Sequence, residues 1–192
     1  ETILPRRAGL DDMSKVLVIG GCGYVGSVLV PRLTKNHHVT VYDLMNINWK
    51  QSVLQDVRKT ELVERFCQGK DAIIYLAGLT QNDHCERDLI LSWEINEKAF
   101  PDVVKAAREA GVKRFIYASS VSAYGSSDRE LNEADPLYPS TAYGRGKASC
   151  EDYLKTHPSE MAYVITRSAS VCGYSPNMRW DLTVNKMVHD AL

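Results

Sequence analysis

A short apolar run, a glycine-rich turn and the start of an amphipathic helix follow one another near the N-terminus. Residues 16–19 are apolar and mostly β-branched, the next glycines are spaced Gly20-x-x-Gly23-x-x-Gly26, and residues 27–30 begin the helix. This arrangement directs backbone N–H groups and a helix N-terminus at one point, as in sites that bind the pyrophosphate of a dinucleotide. Glycines also form plain tight turns, so the rest of the chain has to supply the other parts of such a site.

Length and composition fit one globular domain. The 192 residues are 44% hydrophobic and 24% charged, and the formal net charge is −1. This balance gives no bulk attraction to nucleic acid or to an anionic membrane surface. No apolar run approaches the ~20 residues of a membrane-spanning helix. We therefore expect neither nucleic acid nor a membrane as a partner.

The cysteines favour a reducing compartment. There are five, an odd number, and no two of them form a Cys-x-x-Cys pair. Free thiols are typical of cytoplasmic proteins, so we expect a cytoplasmic location. The five histidines and five cysteines also lack metal-ligand spacing, which argues against a metal site.

Three segments are expected along the chain. Residues 1–12 have no periodic pattern and precede Met13, so we interpret them as an N-terminal extension or tag. Residues 13–167 are expected to form the dinucleotide-binding domain. Residues 168–192 would then be the start of a substrate-binding region that is small and apparently truncated.

An acidic residue follows the second predicted strand, residues 39–42. Asp43 lies 17 residues after Gly26 and is followed by Leu44 and Met45. A carboxylate at this point can accept hydrogen bonds from both hydroxyls of an adenosine ribose and would repel a 2′-phosphate. The sequence therefore favours NAD over NADP, although an aspartate at a strand end can also be simply solvated.

Apolar runs alternate with helical patterns along the whole chain. The predicted strands are 16–19, 39–42, 52–55, 72–76, 114–118 and 163–166, and the predicted helices include 59–68, 88–111 and 141–155. Such alternation predicts an α/β fold with a mostly parallel sheet and helices on both faces.

Two connections depart from this regular pattern. The gap between Asp43 and residue 52 is too short for a crossover helix, so it is either a loop or a place where residues are missing. Pro101 lies inside the longest helical pattern, where a kink or a restart of the helix is expected. His84 and Cys85 are interpreted as a polar residue and a free thiol on a loop.

A tyrosine and a lysine share one helix face. Tyr143 and Lys147 are four residues apart, and Ser120 lies at the end of the fifth predicted strand. A lysine ammonium and a positive nicotinamide ring would both favour the phenolate form of Tyr143. Tyr143 could then move a proton on a substrate hydroxyl, with Ser120 on the same oxygen and Lys147 on the nicotinamide ribose.

Taken together, these motifs resemble the extended short-chain dehydrogenase/reductase family, in its NAD-dependent epimerase/dehydratase group. The matching residues are Gly20, Gly23, Gly26, Asp43, Asp56, Val57, Leu76, Ala77, Gly78, Asn96, Ser119, Ser120, Tyr124, Gly125, Tyr143, Lys147, Arg167, Val171 and Gly173. The resemblance covers residues 15–192. It implies a Rossmann-type, doubly wound parallel sheet with a smaller substrate domain, and an enzyme that acts on a nucleotide-linked sugar.

The resemblance also assigns roles. It implies that Ser120, Tyr143 and Lys147 are catalytic. The NAD contacts that it implies, together with those expected from the residues, are Gly20, Gly23, Tyr24, Val25, Gly26, Asp43, Asp56, Val57, Leu76, Ala77, Gly78, Asn96, Tyr143 and Lys147. Asn96 could instead bond the backbone of a neighbouring strand or be exposed.

Within this family the sequence favours epimerisation. The 4,6-dehydratases carry an Asp-Glu pair where this chain has Val121 and Ser122. The leading hypothesis is an NAD-dependent nucleotide-sugar epimerase, and the alternatives are a reductase or dehydrogenase of another carbonyl substrate and an NAD-binding protein without turnover.

The substrate and assembly contacts are expectations of the same kind. Ser120, Ser122 and Asn185 are expected to bind substrate, although Asn185 could equally be an exposed helix residue and Ser170 stands where many members have Asn. The family resemblance further implies a homodimer that is formed by helices near 89–110 and 141–156.

Overall fold

The computed structural model describes residues 13–46, 49 and 52–192. The expected extension at 1–12 lies outside these residues. Six strands form one sheet in the order β3-β2-β1-β4-β5-β6, and every neighbouring pair is parallel. They are β1 (Lys15–Ile19), β2 (His38–Asp43), β3 (Ser52–Leu54), β4 (Ala72–Tyr75), β5 (Arg114–Ser120) and β6 (Ala162–Ser168).

Seven α-helices connect or follow these strands in the described part of the chain. They are α1 (Gly26–Leu33), α2 (Thr60–Cys67), α3 (Asn82–Arg87), α4 (Leu89–Trp93), α5 (Ala99–Glu109), α6 (Ala142–Thr156) and α7 (Thr183–Asp190). Alternating strands and helices with a parallel sheet confirm the predicted α/β class.

The central strand β1 is buried on both faces. Leu17 and Ile19 pack into the cluster that contains residues of α2, α5 and α6, while Val16 and Val18 pack with Val30 of α1 on the other face. Successive side chains of a strand point to opposite faces, so a strand with helices on both sides needs a continuous apolar run. This explains why residues 16–19 show no polar alternation.

The connection from β2 to β3 contains no helix among its described residues. Asp43 ends β2 and Ser52 begins β3, and the two strands pair in parallel with Val41 opposite Ser52. The absence of a helix in these residues agrees with a loop, and whether residues are missing from this connection stays open.

The long helical pattern at 88–111 is divided into three parts. A π-helix, Glu94–Lys98, lies between α4 and α5, and Pro101 lies in the first turn of α5. A proline near a helix start is tolerated, because the first N–H groups have no partner within the helix. The predicted interruption of the helix is confirmed, but it is the π-helix on the N-terminal side of Pro101.

The segment around His84 and Cys85 was wrongly predicted as a loop. It forms the short helix α3, and the Cys85 side chain is fully buried with its Sγ donating to the Leu79 carbonyl oxygen at 3.2 Å. Cys85 alone among these six residues is apolar and buried, so the segment lacks the periodic apolar pattern that reveals a helix.

In the described part of the chain, no helix combines the length and the hydrophobicity needed to span a membrane.

Candidate active site

In the glycine turn between β1 and α1, backbone atoms leave no room for a side chain at Gly20 and Gly26. Gly20 has a φ of 86°, and a Cβ there would lie 2.5 Å from the Ala77 amide nitrogen. A Cβ at Gly26 would lie 2.6 Å from the Gly20 carbonyl oxygen. For a Cβ at Gly23, the nearest described atom is the same oxygen, at an ordinary 3.5 Å. Gly20 and Gly26 are thus needed by the fold, whereas Gly23 keeps the open side of the turn free of a side chain.

Asp43 ends β2 beside this turn. Its Oδ2 accepts a hydrogen bond from the Cys22 amide at 2.8 Å, and its Oδ1 accepts one from the Met45 amide at 2.9 Å. A carboxylate oxygen can accept a second hydrogen bond, so both oxygens retain capacity for ribose hydroxyls. Asp43 therefore also braces the glycine turn, which the sequence did not indicate.

An open cleft of about 280 Å³ lies at the carboxyl ends of β1, β2 and β4. Eight of the predicted NAD contacts line it: Gly20, Gly23, Asp43, Asp56, Val57, Leu76, Ala77 and Gly78. Ligands of open α/β sheets bind where the strand order reverses, and here that point lies between β1 and β4. The cleft, the turn and the Asp43 carboxylate together fit a dinucleotide. Tyr24, Val25, Gly26, Asn96, Tyr143 and Lys147 lie outside the cleft lining.

Asp56 is held by the arginine two residues later. Arg58 Nη2 lies 2.7 Å from Asp56 Oδ2, and Arg58 Nη1 lies 2.8 Å from Glu94 Oε2. The hydrogen bonds from Arg58 hold the pKa of Asp56 below its ordinary value. Asp56 is therefore a fixed carboxylate at the edge of the cleft.

Asn96 supports the loop after β4. Its Oδ1 accepts from the Leu79 amide at 2.8 Å, and its Nδ2 donates to the Leu79 carbonyl oxygen at 2.9 Å. The side chain is buried in the π-helix, and a Cβ on Gly78 would lie 3.0 Å from Asn96 Oδ1. Of the roles considered for Asn96, backbone bonding is the one found here. Its contact with NAD stays a prediction.

Lys147 is buried beneath the predicted catalytic tyrosine. Its Nζ donates to the Ala118 carbonyl oxygen at 2.7 Å and lies 4.9 Å from the Tyr117 ring centroid and 5.5 Å from the Tyr143 ring centroid. Burial lowers the pKa of Lys147 to about 8. The side chain is consequently charged at neutral pH but easily deprotonated.

The three predicted catalytic side chains meet where β5 ends against α6. The Ser120 side chain lies close enough to the Tyr143 hydroxyl to influence its pKa, and the Ser120 hydroxyl accepts from the Ser122 amide at 3.1 Å. Burial raises the pKa of Tyr143, and the nearby Ser120 side chain only partly opposes this increase. The expectation that Lys147 makes Tyr143 acidic is therefore wrong for the chain alone, because desolvation of the phenolate outweighs the nearby charges.

A buried ion pair behind the site was missed. Glu151 is fully buried, and its carboxylate accepts from Ser119 Oγ at 2.5 Å and from Arg167 Nη2 at 2.6 Å. Burial acts to raise the pKa of Glu151, but the hydrogen bonds from Arg167 and Ser119 outweigh it and hold the pKa below its ordinary value. The available signal was the position of Glu151 one helical turn after Lys147, which places both side chains on the same face of α6.

The segment that follows β6, together with the first turn of α7, contacts the glycine turn. The Tyr24 hydroxyl donates to the Gly173 carbonyl oxygen at 2.6 Å and accepts from Asn185 Nδ2 at 3.0 Å. Ser175 Oγ lies 2.7 Å from Ser27 Oγ and from the Tyr24 carbonyl oxygen. We call residues 173–185 the strap, because it ties the turn to the C-terminal part of the chain.

Three further predicted contacts have different surroundings in the structure: Asn185 and Ser122, predicted to bind substrate, and Val25, predicted to bind NAD. Asn185 is buried, and its amide bonds the Gly173 amide, Tyr24 and the Arg179 carbonyl oxygen. Ser122 lies in the 3₁₀ turn that follows β5, and Val25 is 44% exposed ahead of α1. Asn185 would therefore have to give up one of these hydrogen bonds in order to contact a substrate.

The strand order, the glycine turn and Asp43 define a dinucleotide-binding domain of the Rossmann type. The sequence matches the model of the NAD dependent epimerase/dehydratase family over residues 16–191. The chain belongs to this family, whose members are NAD-dependent enzymes.

Relatives agree with this placement. The chain is 27% identical to an N-acetyl-alpha-D-glucosaminyl-diphospho-ditrans,octacis-undecaprenol 4-epimerase of Escherichia coli O157:H7, over 82% of this chain and 49% of that protein. It is 27% identical to a dTDP-D-glucose 4,6-dehydratase of Mus musculus, over 91% of this chain and 54% of that protein. The chain thus spans about half the length of the curated relatives it matches.

A solved structure is similar as well. The UDP-N-acetylglucosamine 4-epimerase from Methanobrevibacter ruminantium M1, in complex with UDP-N-acetylmuramic acid, superposes with a TM-score of 0.74 at 28% identity. The match covers 81% of this chain and 54% of that chain.

Proposed function

We propose that this chain carries the NAD site and the catalytic residues of a nucleotide-sugar epimerase. The observation that carries the proposal is the meeting of Ser120, Tyr143 and Lys147 at the carboxyl end of β5, beside the cleft that fits a dinucleotide. The related 4-epimerases support the choice of reaction.

In this proposal Tyr143 removes the proton from the sugar hydroxyl. Ser120, beside Tyr143, would hydrogen-bond the same sugar oxygen. Lys147, held by the Ala118 carbonyl oxygen, provides a positive charge below the Tyr143 ring. When bound, NAD would supply the acceptor for the hydride of the sugar carbon, and its positive ring would favour a nearby phenolate.

The cofactor would be held by the glycine turn and Asp43. Gly23 leaves the turn open toward the pyrophosphate, and Asp43 can accept from both ribose hydroxyls. Loss of the hydroxyl proton and of the hydride leaves a keto-sugar. If the sugar turns over before the hydride returns, Tyr143 gives its proton back to the sugar oxygen, the configuration of the hydroxyl is inverted, and Tyr143 is again the phenolate.

The residues after Ser120 favour this reaction over dehydration. Elimination of water needs a group that takes a proton from carbon and an acid for the leaving hydroxyl. Val121 and Ser122 occupy the adjacent positions, and neither side chain has a carboxyl group. We therefore propose that Ser122 hydrogen-bonds the sugar. Asn185 would also bind the substrate, after giving up one of the hydrogen bonds that it makes within the chain.

The proposal includes a cytoplasmic homodimer. Three large apolar side chains on α4 are exposed, with 55% of Leu89, 73% of Ile90 and 48% of Trp93 accessible. Such a patch is typical of a surface that binds another protein. Helices α4 to α6 would form the contact between two copies.

The test begins with the cofactor. The purified protein should release NAD on denaturation, identified by absorbance and mass, and should bind it again after removal. It should then interconvert UDP-glucose and UDP-galactose without net reduced NAD. Net reduced NAD with substrate loss would instead favour the dehydrogenase alternative, and NAD binding without turnover the non-catalytic one. Absence of any NAD binding would reject the proposal altogether.

A further inference from the structure

Helix α3 joins the wall of the cleft to the helix that carries Tyr143. Leu79 lines the cleft, and its carbonyl oxygen accepts from Cys85 Sγ at 3.2 Å. The next residue, Glu86, reaches the other way, and its Oε1 accepts from the Ala142 amide at 2.7 Å. Two consecutive residues of α3 therefore connect the cleft to the residue before Tyr143. Neither the sequence patterns nor the proposed mechanism uses this connection.

The contact of Glu86 is with an amide that α6 leaves without an internal partner. Ala142 is the first residue of α6, and the first N–H groups of a helix have no carbonyl acceptor within the helix. A carboxylate is favoured there, because the N-terminus of a helix carries a partial positive charge. In the described part of the chain Glu86 forms no ion pair, so this amide is the partner that holds its carboxylate in place.

Other contacts hold the first turn of α6 from different directions. The Thr141 hydroxyl accepts from the Gly144 amide at 3.0 Å, a contact at the start of the helix itself. A Cβ on Gly144 would overlap the Ser122 carbonyl oxygen, so the turn lies directly against the segment that follows β5. Glu86 adds a contact with the segment that follows β4, and β4 is one of the strands that border the cleft.

We propose that Glu86 is a positioning residue for Tyr143, which acts through the Ala142 amide and sets where the Tyr143 hydroxyl stands relative to the cleft. This inference rests on the proposed function, because it assigns Glu86 to the same reaction. A shift of a catalytic group by about 1 Å can slow a reaction by about 10²-fold, so one contact at the start of its helix can control the rate.

A cap that only stabilises α6 is the competing explanation. Such a cap would lower the melting temperature by a few degrees when lost, but the molecules that remain folded would react at the normal rate. Glu86→Gln separates the two further. It keeps an acceptor oxygen at the same reach and removes the charge, so a positioning role predicts that the rate is retained.

The first experiment is steady-state kinetics of the purified protein with UDP-glucose and UDP-galactose. Glu86→Ala should lower kcat by about tenfold or more and leave KM and NAD affinity unchanged, since Tyr143 moves while the binding contacts stay. Glu86→Gln should keep most of the rate. Asp83→Ala is the matched control, because it removes a carboxylate from an exposed position of the same helix and should react at the normal rate.

Amide hydrogen exchange of the protein without NAD gives a readout that is independent of turnover. Local opening at the start of α6 determines how fast its amides exchange. Residues 141–147 should exchange faster in Glu86→Ala than in the unsubstituted protein, and at the normal rate in Glu86→Gln and Asp83→Ala. If Glu86→Ala does not fold, Glu86→Asp takes its place, because it draws the carboxylate back by one methylene group and should also lower kcat.

A normal kcat in Glu86→Ala overturns the inference and leaves the proposed function intact, and so does an equal loss in Asp83→Ala. A loss in Glu86→Gln as large as that in Glu86→Ala also overturns it, because the acceptor oxygen would then not be what matters. If the unsubstituted protein binds NAD but converts neither UDP-sugar, the proposed function fails. The exchange experiment then decides separately whether Glu86 fixes the start of α6, and unchanged exchange in Glu86→Ala overturns the inference.

Discussion

The ammonium group of Lys147 is fixed to the backbone of β5, with Nζ 2.7 Å from the Ala118 carbonyl oxygen. This bond ties α6, which carries Tyr143, to the strand that ends in Ser120. The side chain is 4% exposed, so the charge is kept in a poorly solvated place by one backbone contact and the nearby rings. Its protonation is therefore linked to the stability of the fold.

The first prediction concerns this linkage. Lysine has a pKa of ~10.4 in an unfolded chain, and burial lowers the pKa of Lys147 to about 8. Between these values the unfolded state binds more protons, so the contribution of Lys147 to stability rises with pH. Relative to Lys147→Met, the unsubstituted protein should gain up to about 3 kcal/mol in free energy of unfolding as the pH rises from about 8 to about 10.

Urea unfolding at a series of pH values measures this difference. Lys35→Met, at an exposed position, should differ from the unsubstituted protein by a constant amount. A constant difference for Lys147→Met as well would contradict the prediction.

Tyr143→Phe should abolish turnover and leave NAD binding intact. Removal of a group that transfers a proton slows a reaction by about 10²–10⁴-fold, while the glycine turn and Asp43 are untouched. The measurements are the rate of UDP-sugar interconversion and the NAD content of the purified variant. Tyr163→Phe, at a position 40% exposed on β6, serves as the control. Turnover at the normal rate in Tyr143→Phe would refute the assigned role.

Gly23→Ala and Gly26→Ala should separate cofactor binding from folding. A Cβ at Gly23 meets its nearest described neighbour at 3.5 Å, whereas one at Gly26 would lie 2.6 Å from the Gly20 carbonyl oxygen. Gly23→Ala should therefore keep the melting temperature within a few degrees and lose NAD affinity. Gly26→Ala should lower both. Thermal unfolding and NAD titration measure the two effects, and full NAD affinity in Gly23→Ala would speak against the proposed pyrophosphate contact.

Glu151→Gln should destabilise the protein by about 3 kcal/mol, because it leaves a buried guanidinium without its carboxylate. The side chain of Arg167 is 9% exposed and lies 2.6 Å from Glu151 Oε2, so water cannot readily replace the lost charge. Chemical denaturation measures the loss. Glu160→Gln, at an exposed position, should change stability little, and equal stability of both variants would show that the pair contributes nothing.

The sequence predicted elements whose signals are local. The continuous apolar run of β1 is an example, because burial on both faces of the strand is visible in consecutive residues. Helix α3 was missed because its single buried apolar residue, Cys85, gives no periodic pattern. The spatial order of the strands was not predicted, since parallel pairing joins residues far apart in the chain.

The sequence predicted which residues form the candidate site, but not their burial, their pKa shifts or their contacts with distant parts of the chain. The positions of Asp43 and Lys147 follow from spacing. The sign of the Tyr143 pKa shift does not, because it depends on how much water the folded chain excludes. The contacts of Tyr24 with the strap could not be predicted from the sequence either, since 149 residues separate Tyr24 from Gly173.

The place of β1 in the sheet has a consequence for synthesis. β1 pairs with β2 on one side and with β4 on the other, so its second edge can close only after residues 72–75 have left the ribosome. Until then an apolar strand with open N–H and C=O groups is exposed to other nascent chains. The strand that anchors the cofactor turn is therefore also a segment that needs protection while the chain is being made.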